Sequence, residues 1–332
     1  MNQDEISQAF SQFNRLNIAV IGDLMLDSYL IGKVDRISPE APVPVVQVKS
    51  KTHHLGGAAN VALNLKALGI NPILFSVVGK DEAAETVLQL MKKAQLPAVG
   101  VLSVNHRPTT VKTRIMAQNH QLLRVDEETN EPLLQLVIEE LWLQFSNVLE
   151  ESPIDAVIFE DYDKGVITPE LIEKVVALCK RKNIPVAVDP KKRNFLAYQG
   201  VTIFKPNLKE IKEGLKIEIY PTQFDSLQQA HQTLQQTLHH QFSLITLSEH
   251  GVFVADNQQA QVFPAYLRQI ADVSGAGDTV IAVVTAAYAL QLNIAFCAQL
   301  ANLAGGLVCE QVGVVPINKN QLLSEAQKLL AN

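Results

Sequence analysis

Cysteine is scarce in this sequence, and its three copies (Cys179, Cys297 and Cys309) form neither a CxxC pair nor a Cys/His spacing that would hold zinc. An odd, unpatterned set excludes a disulfide framework and fits buried thiols in a reducing compartment. Basic blocks are missing too. Lysine and arginine total 28 against 34 acidic residues, a net charge of −6, which argues against nucleic acid or an anionic membrane as a partner. No apolar run approaches the roughly 20 residues of a membrane helix. The first residues, MNQDEISQAF, are polar and acidic rather than a secretion signal. Low-complexity linkers and internal repeats are also absent. The 332 residues therefore read as one large cytoplasmic domain. Two common nucleotide fingerprints are missing as well: there is no GxxxxGK[ST], and no GxGxxG follows the first strand. ATP, if used, is held by another device.

What is present is alternation. Short apolar runs at 16–22, 73–79, 155–160, 185–189, 202–205 and 243–248 read as strands buried on both faces. Helical patterns lie between and after them, at 58–68, 81–94, 133–149, 169–182, 227–239, 279–290 and 294–311. This order predicts an α/β fold, a parallel sheet with helices on both faces. Two segments break the pattern. PVPVVQV (42–48) is short and β-branched, and 109–117 with 120–126 flank Gln118 and Asn119 like the arms of a hairpin. Their charged residues Lys112, Arg114 and Arg124 do not suit a covered sheet. Either they form a small sheet laid over an opening, or they are a solvated β-excursion.

Ligands in open α/β sheets sit beyond the carboxyl ends of the strands. The expected strands run into GDLMLD, EDYDKG, DPKKRN and KPNLKE, which place Asp23, Asp27, Glu160, Asp161, Asp163 and Lys164 at that edge. Any one such carboxylate is ordinary at a strand-to-helix turn; their convergence is the signal. In GGAANVALNLKALG, Gly56 and Gly57 open a helix with Asn60 one turn in. Close helix–sheet packing explains the glycines, and so does a ligand reaching the backbone. DVSGAGDTV (272–280) precedes a long apolar helix. The N–H groups of Ala276, Gly277 and Asp278 would point at phosphate oxygens there, with Asp278 taking the proton of an attacking hydroxyl. Simple N-capping by Asp278 is the competing explanation, and it leaves Gly-Ala-Gly unexplained.

DVSGAGDTV resembles the C-terminal signature of the ribokinase-like (PfkB) sugar kinases, and GGAANVALNLKALG resembles their N-terminal signature. Order and separation match, over essentially the whole chain. Within the family, GDLMLDSYLIGKVDRISPEAPVPVVQV, EDYDKG, DPKKRN and KPNLKE are similar to the heptose 7-phosphate kinase branch, most of all in the run RISPEAPVP (36–44). The resemblance implies an αβα sandwich with a mostly parallel central sheet and a β-lid near 27–53 and 105–128 that mediates a homodimer. It implies transfer of the ATP γ-phosphoryl group to the anomeric hydroxyl of D-glycero-β-D-manno-heptose 7-phosphate, a step towards the ADP-heptose of lipopolysaccharide. Asp278 matches the catalytic base, and Gly275, Ala276 and Gly277 match the anion hole. Asn207, Leu208, Lys209 and Glu210 match the motif that organises nucleotide and Mg²⁺, with Glu210 acting on the metal through water. Thr246, Ser248 and Gly251 fall in the nucleotide-side turn, and Asn302 in the helix flanking adenine. Asp23, Asp27, Gly56, Gly57 and Asn60 match sugar-contacting positions. The resemblance also leaves room for a monovalent cation such as K⁺ near Asp272 and Ser274.

A substrate that already bears a phosphate needs cationic partners, and a net-acidic chain must supply them locally. The candidates are Arg36, Lys112, Arg114, Arg124, Lys164 and Lys191. Some members of the branch carry a second, nucleotidyltransferase domain with an HxGH motif; no HxGH occurs in this sequence, so the adenylyl-transfer step is expected on another polypeptide unless the sequence is a piece of a longer chain. The pairs His53-His54 and His239-His240 lack further ligands and read as solvated surface or lid-hinge residues. Two other functions stay open: a kinase of the same fold acting on another sugar or a nucleoside, and a catalytically silent sugar- or nucleotide-binding regulator. The intact GAGD and NxxE argue against the regulator.

Overall fold

The computed structural model describes residues 1–117 and 120–331. Helix α1 (Gln3–Gln12) precedes β1 (Asn17–Gly22), and the chain then leaves the body as β2 (Leu24–Ile37) and β3 (Pro44–Gly57). It returns through α2 (Ala58–Ala67), β4 (Asn71–Val78), α3 (Glu82–Lys93) and β5 (Gly100–Ser103). A second excursion, β6 (Thr110–Ala117) and β7 (His120–Glu127), is followed by α4 (Gln135–Glu151), β8 (Ala156–Glu160), α5 (Pro169–Lys182), β9 (Val186–Asp189) and β10 (Ile203–Phe204). Next come α6 (Leu208–Leu215), α7 (Phe224–Leu238), β11 (Phe242–Thr246), β12 (Val252–Ala255) and β13 (Ala260–Phe263). Helices α8 (Ala276–Ala289), α9 (Ile294–Val308) and α10 (Lys319–Leu329) close the fold.

The body is a nine-stranded sheet in the order β13-β12-β11-β10-β9-β8-β1-β4-β5. From β11 to β5 the strands are parallel; β12 and β13 add an antiparallel edge. Strand alternation divides the core into two layers. Ile18 and Val20 of β1 pack with Val61, Ile281 and Leu300 on one face, while Ala19 and Ile21 pack with Phe145, Ile172 and Leu234 on the other. Both faces being covered explains why these strands read as uninterrupted apolar runs. Helix ends follow local chemistry. Thr168 caps α5 ahead of Pro169, and Asp81 caps α3, accepting the Ala84 N–H at 2.8 Å.

The chain starts in the middle of the sheet, builds outward through β4 and β5, then crosses back to place β8 on the other side of β1. The strand order reverses between β1 and β8, and a crevice opens at the carboxyl ends there. Over it lies a separate four-stranded sheet, β3-β2-β6-β7. Its central pair, β2 and β6, runs parallel, and each outer pairing is antiparallel.

The lid is larger than the sequence indicates. The expected strand at 42–48 is the start of a 14-residue strand paired with an equally long β2. Residues 24–28 are buried, but the rest of β2 is partly or fully exposed and has no clean alternation to betray it. RISPEAPVP forms the tip of this hairpin, where the Ser38 N–H donates to the Val43 carbonyl at 2.9 Å. The expected arms β6 and β7 are present; the turn at residues 118 and 119 lies outside the described residues. One expectation fails: His240 is buried, its Nε2 2.6 Å from Ser243 Oγ, and burial with the neighbouring His231 pushes its pKa down to about 3. His239 and His54 are exposed as expected. The three cysteines are buried, and burial pushes the Cys179 and Cys297 thiols up to about 12. Among the described residues, no helix is long and apolar enough to cross a membrane.

Candidate active site

Asp278 lies at the third position of α8, not at its cap. Gly275 occupies the cap with φ +79°, in the left-handed region, and no side chain closes the helix end. That excludes N-capping as the reason for the aspartate. Its carboxylate is 5% exposed and accepts hydrogen bonds from Asn60 Nδ2 at 2.7 Å and the Tyr162 hydroxyl at 2.8 Å. Burial raises its pKa above the ordinary aspartate value, and these two hydrogen bonds pull it back. The Ala276 N–H turns to the Val273 carbonyl at 3.3 Å. The N–H groups of Gly277 and Asp278, in the first turn, have no intrahelical acceptor and stand at the positive end of the helix dipole.

Two asparagines tie α8 to α2. Asn60 holds Asp278, and Asn64 Oδ1 accepts from the Thr279 hydroxyl at 3.0 Å. Asn60, assigned by resemblance to sugar contact, here orients the aspartate. A Cβ on Gly275 would stand 2.9 Å from Asn60 Nδ2, so the approach of the two turns depends on glycine at that position. Gly57 caps α2 with φ +58°, and Gly56 makes room for Asp27, whose Oδ2 would lie 2.3 Å from an added Cβ.

Asp23 is almost fully buried and takes the N–H groups of Tyr162, Lys164 and Val166 at 2.8, 3.1 and 3.1 Å. Burial, then the nearby Asp161, pushes its pKa up to about 6, against the pull of those three bonds. Its visible work is to fix the loop that presents Tyr162. Asp27 pairs with Arg114 at 2.5 Å, and the Arg114 guanidinium lies 5.3 Å from the Tyr29 ring centre.

Behind Gly277 lie Asp189 and Lys205, paired at 2.7 Å and both buried. Lys191 reaches Glu210 at 2.5 Å and stands 3.5 Å from Asp189 Oδ1 without hydrogen-bond geometry. Glu210 also closes a capping box with Asn207 at the start of α6, at 2.8 and 2.9 Å. The N-x-x-E spacing thus has a local reason alongside any role towards metal. Leu208 and Lys209 follow in that first turn, Lys209 exposed. Thr246 bridges to Asn207, Ser248 and Gly251 carry positive φ at the following turn, and Asn302 Nδ2 donates to the Pro264 carbonyl at 2.9 Å. Glu160 is fully buried, and neither of its carboxylate oxygens has a hydrogen-bond partner. Burial, then Asp189 and Asp278, holds its pKa well above the glutamate range. Asp272 ties two loops, accepting from Ser274 N at 2.9 Å and Gly313 N at 3.0 Å.

Five of the six candidate phosphate partners are already paired with carboxylates. Glu128 takes Lys112 at 2.9 Å and Lys164 at 2.8 Å, joining lid to body. Arg124 pairs with Asp126, Arg114 with Asp27, and Lys191 with Glu210. Arg36 stands exposed at the hairpin tip. Tyr162, Asp189, Lys205 and Arg107 were not among the residues singled out from sequence, and Glu160 was named at the sheet edge without a role. Arg107 donates to the Lys164 carbonyl from the segment leading into β6. Glu160, Asp189 and Lys205 were legible as polar strand ends; Tyr162 and Arg107 carried no separate signal.

A buried carboxylate at a helix N-terminus, beside free amides and under a lid, defines a phosphotransferase-type site on a ribokinase-like fold. Solved structures share that fold. Phosphofructokinase-2 from Escherichia coli, in complex with potassium, superposes with a TM-score of 0.77 at 17% identity, covering 96% of this chain and 99% of that one. Arabidopsis thaliana ribokinase complexed with ribose and ATP gives 0.72 at 17% identity, covering 93% and 98%. The model of the pfkB family carbohydrate kinases matches residues 15–320, and the chain belongs to that family, as an ATP-dependent sugar kinase. Among curated proteins it is 43% identical over 312 residues to the bifunctional protein HldE of Methylobacillus flagellatus and 40% identical over 299 residues to that of Wolinella succinogenes. Those matches cover 93% and 90% of this chain but 63% and 62% of the relatives, so the chain spans less than two thirds of their length.

Proposed function

We propose that the chain phosphorylates the anomeric hydroxyl of D-glycero-β-D-manno-heptose 7-phosphate, giving the 1,7-bisphosphate. The observation that carries the chemistry is the placement of Asp278, buried, held from two sides and in the same first turn as the free amides. The heptose reading rests on the RISPEAPVP run and the strand-end motifs, and the similarity to bifunctional HldE proteins supports it. The hydroxyl oxygen attacks the γ-phosphorus and the bond to the β–γ bridging oxygen breaks. ADP leaves, and the hydroxyl proton passes to Asp278. The amides of Gly277 and Asp278 face the charge on the moving phosphoryl group. Tyr162 and Asn60 aim the carboxylate. The lid excludes water from a group that water would otherwise accept.

A divalent ion travels with ATP, and Glu210 fits one: it is partly buried in the first turn of α6 and offers hard carboxylate oxygens. Mg²⁺ would supply positive charge against the ATP phosphates there, and Glu210 is the residue that would hold it, through water. A monovalent cation such as K⁺ would sit near Asp272 and Ser274. Lys112 and Lys164, held apart by Glu128, are the cations best placed to receive the 7-phosphate, which would displace that carboxylate. Ile31, Val48, Leu123 and Val125 leave apolar surface on the lid, and a second copy covering it gives a homodimer.

ATP consumption measured with a panel of sugars, sugar phosphates and nucleosides tests the substrate. Heptose 7-phosphate should outrun every other acceptor. Faster turnover of an unphosphorylated sugar or a nucleoside would move the chain elsewhere in the family, and no turnover of any acceptor would favour a silent regulator.

A further inference from the structure

Glu160 is the least explained side chain in the molecule. It ends β8 beside Asp189, its register partner at the end of β9, so both carboxylates project from neighbouring strand ends on one side of the sheet. The first turn of α8 brings Asp278 against them, and oxygens of the three lie within 4.8 Å of one another. Exposures are 0%, 4% and 5% for Glu160, Asp189 and Asp278. Both Glu160 oxygens and Asp189 Oδ1 lack any hydrogen-bond partner. A fully buried carboxylate with neither oxygen satisfied is costly unless something charged sits against it.

Charge counting says what that something is. Lys191 is matched with Glu210, which leaves Glu160, Asp189 and Asp278 facing Lys205. Ionised, three negative charges meet one positive, an excess equal to one divalent cation, and a cation there takes the place of the proton that burial favours on Glu160. The donors are all oxygens, the preference of a hard ion such as Mg²⁺ or Mn²⁺. Oxygens bind Mg²⁺ at about 2.1 Å, so two ligands of one ion lie at most about 4.2 Å apart, within a small rotamer adjustment of the spacing here.

We propose that Glu160 and Asp189, with Asp278 alongside, form a protein-held divalent cation site that fills without nucleotide. It is separate from the metal that ATP brings to Glu210. The Glu210 carboxylate is already engaged by Lys191 and by the Asn207 N–H, whereas Glu160 is engaged by nothing. The site does not depend on which sugar is the acceptor. Bound there, the cation would sit beside Asp278 and behind Gly277, adding fixed positive charge at the turn where phosphate is received.

The test is a Mn²⁺ titration of the nucleotide-free protein, with free Mn²⁺ read by electron paramagnetic resonance and Mg²⁺ as competitor. One Mn²⁺ per chain is expected, displaced by Mg²⁺. Glu160→Gln should weaken binding at least tenfold, while Glu210→Gln should stay within threefold of the parent. A thermal melt with and without Mn²⁺ accompanies each titration: the parent should gain stability on adding the ion and Glu160→Gln should not. If Glu160→Gln does not fold, Glu160→Ala takes its place. No nucleotide-free Mn²⁺ binding by the parent would overturn the proposal. So would unchanged binding by the Glu160 variant, or a loss in Glu210→Gln as large as in Glu160→Gln.

Discussion

The end of the main sheet and the lid close on the same crevice, yet they treat charge in opposite ways. At the sheet end, Glu160, Asp189 and Asp278 are buried together, with both Glu160 oxygens and Asp189 Oδ1 left unsatisfied. On the lid, Lys112, Arg114 and Arg124 are each matched with a carboxylate. Buried groups act at low dielectric, where their interaction with nearby charge is strong. Paired, partly exposed groups can exchange one anion for another at modest cost. Under the proposed function, that difference puts chemistry in the body and choice of substrate in the lid.

The strongest way to break this division is Asp278→Asn. It keeps shape and amides but removes the base, and turnover should fall about 10²–10⁴-fold while calorimetry still shows ATP and sugar phosphate binding. Near-normal turnover would remove the base assignment. Next in size is Lys112→Ala. Loss of one charge-assisted contact should raise KM for the phosphorylated sugar about tenfold, leaving kcat and the ATP KM within a few-fold. An equal rise in the ATP KM would place Lys112 on the wrong substrate. Glu210→Gln should shift the Mg²⁺ dependence of the rate several-fold upward in concentration without unfolding the chain, because asparagine-initiated capping survives in part. An unchanged Mg²⁺ titration would separate Glu210 from the metal. The smallest effect belongs to Tyr162→Phe. Its hydroxyl lowers the Asp278 pKa, so its loss raises it. A base works deprotonated, so activity is lost as pH falls through that pKa, and the acid limb of kcat should move to higher pH in the variant. A limb moving the other way would contradict the hydrogen bond's role.

The body was legible in the sequence because its strands are buried on both faces and its helices on one, which leaves strong periodicity. GAGD was legible because glycines before an apolar helix have few other uses. The length of the lid was not, since β2 and β3 carry mixed exposure over most of their course. The role of Asn60 was hidden for another reason. An amide one turn into a helix looks the same whether it meets a sugar or, as here, an aspartate 218 residues away. Glu210 showed the converse: a motif expected for metal also has a capping geometry that any N-x-x-E would give. Glu160 could be placed at a strand end from sequence, but its burial and its missing partners are properties of packing alone.

One ratio tests the division of labour most directly: kcat/KM for heptose 7-phosphate over kcat/KM for the same heptose without its phosphate. It should be measured in the parent, Lys112→Ala and Asp278→Asn. The account predicts a ratio well above one in the parent, about tenfold lower in Lys112→Ala, and unchanged in Asp278→Asn although both of its rates collapse. A ratio that holds in the lid variant, or falls with the body variant, would contradict it.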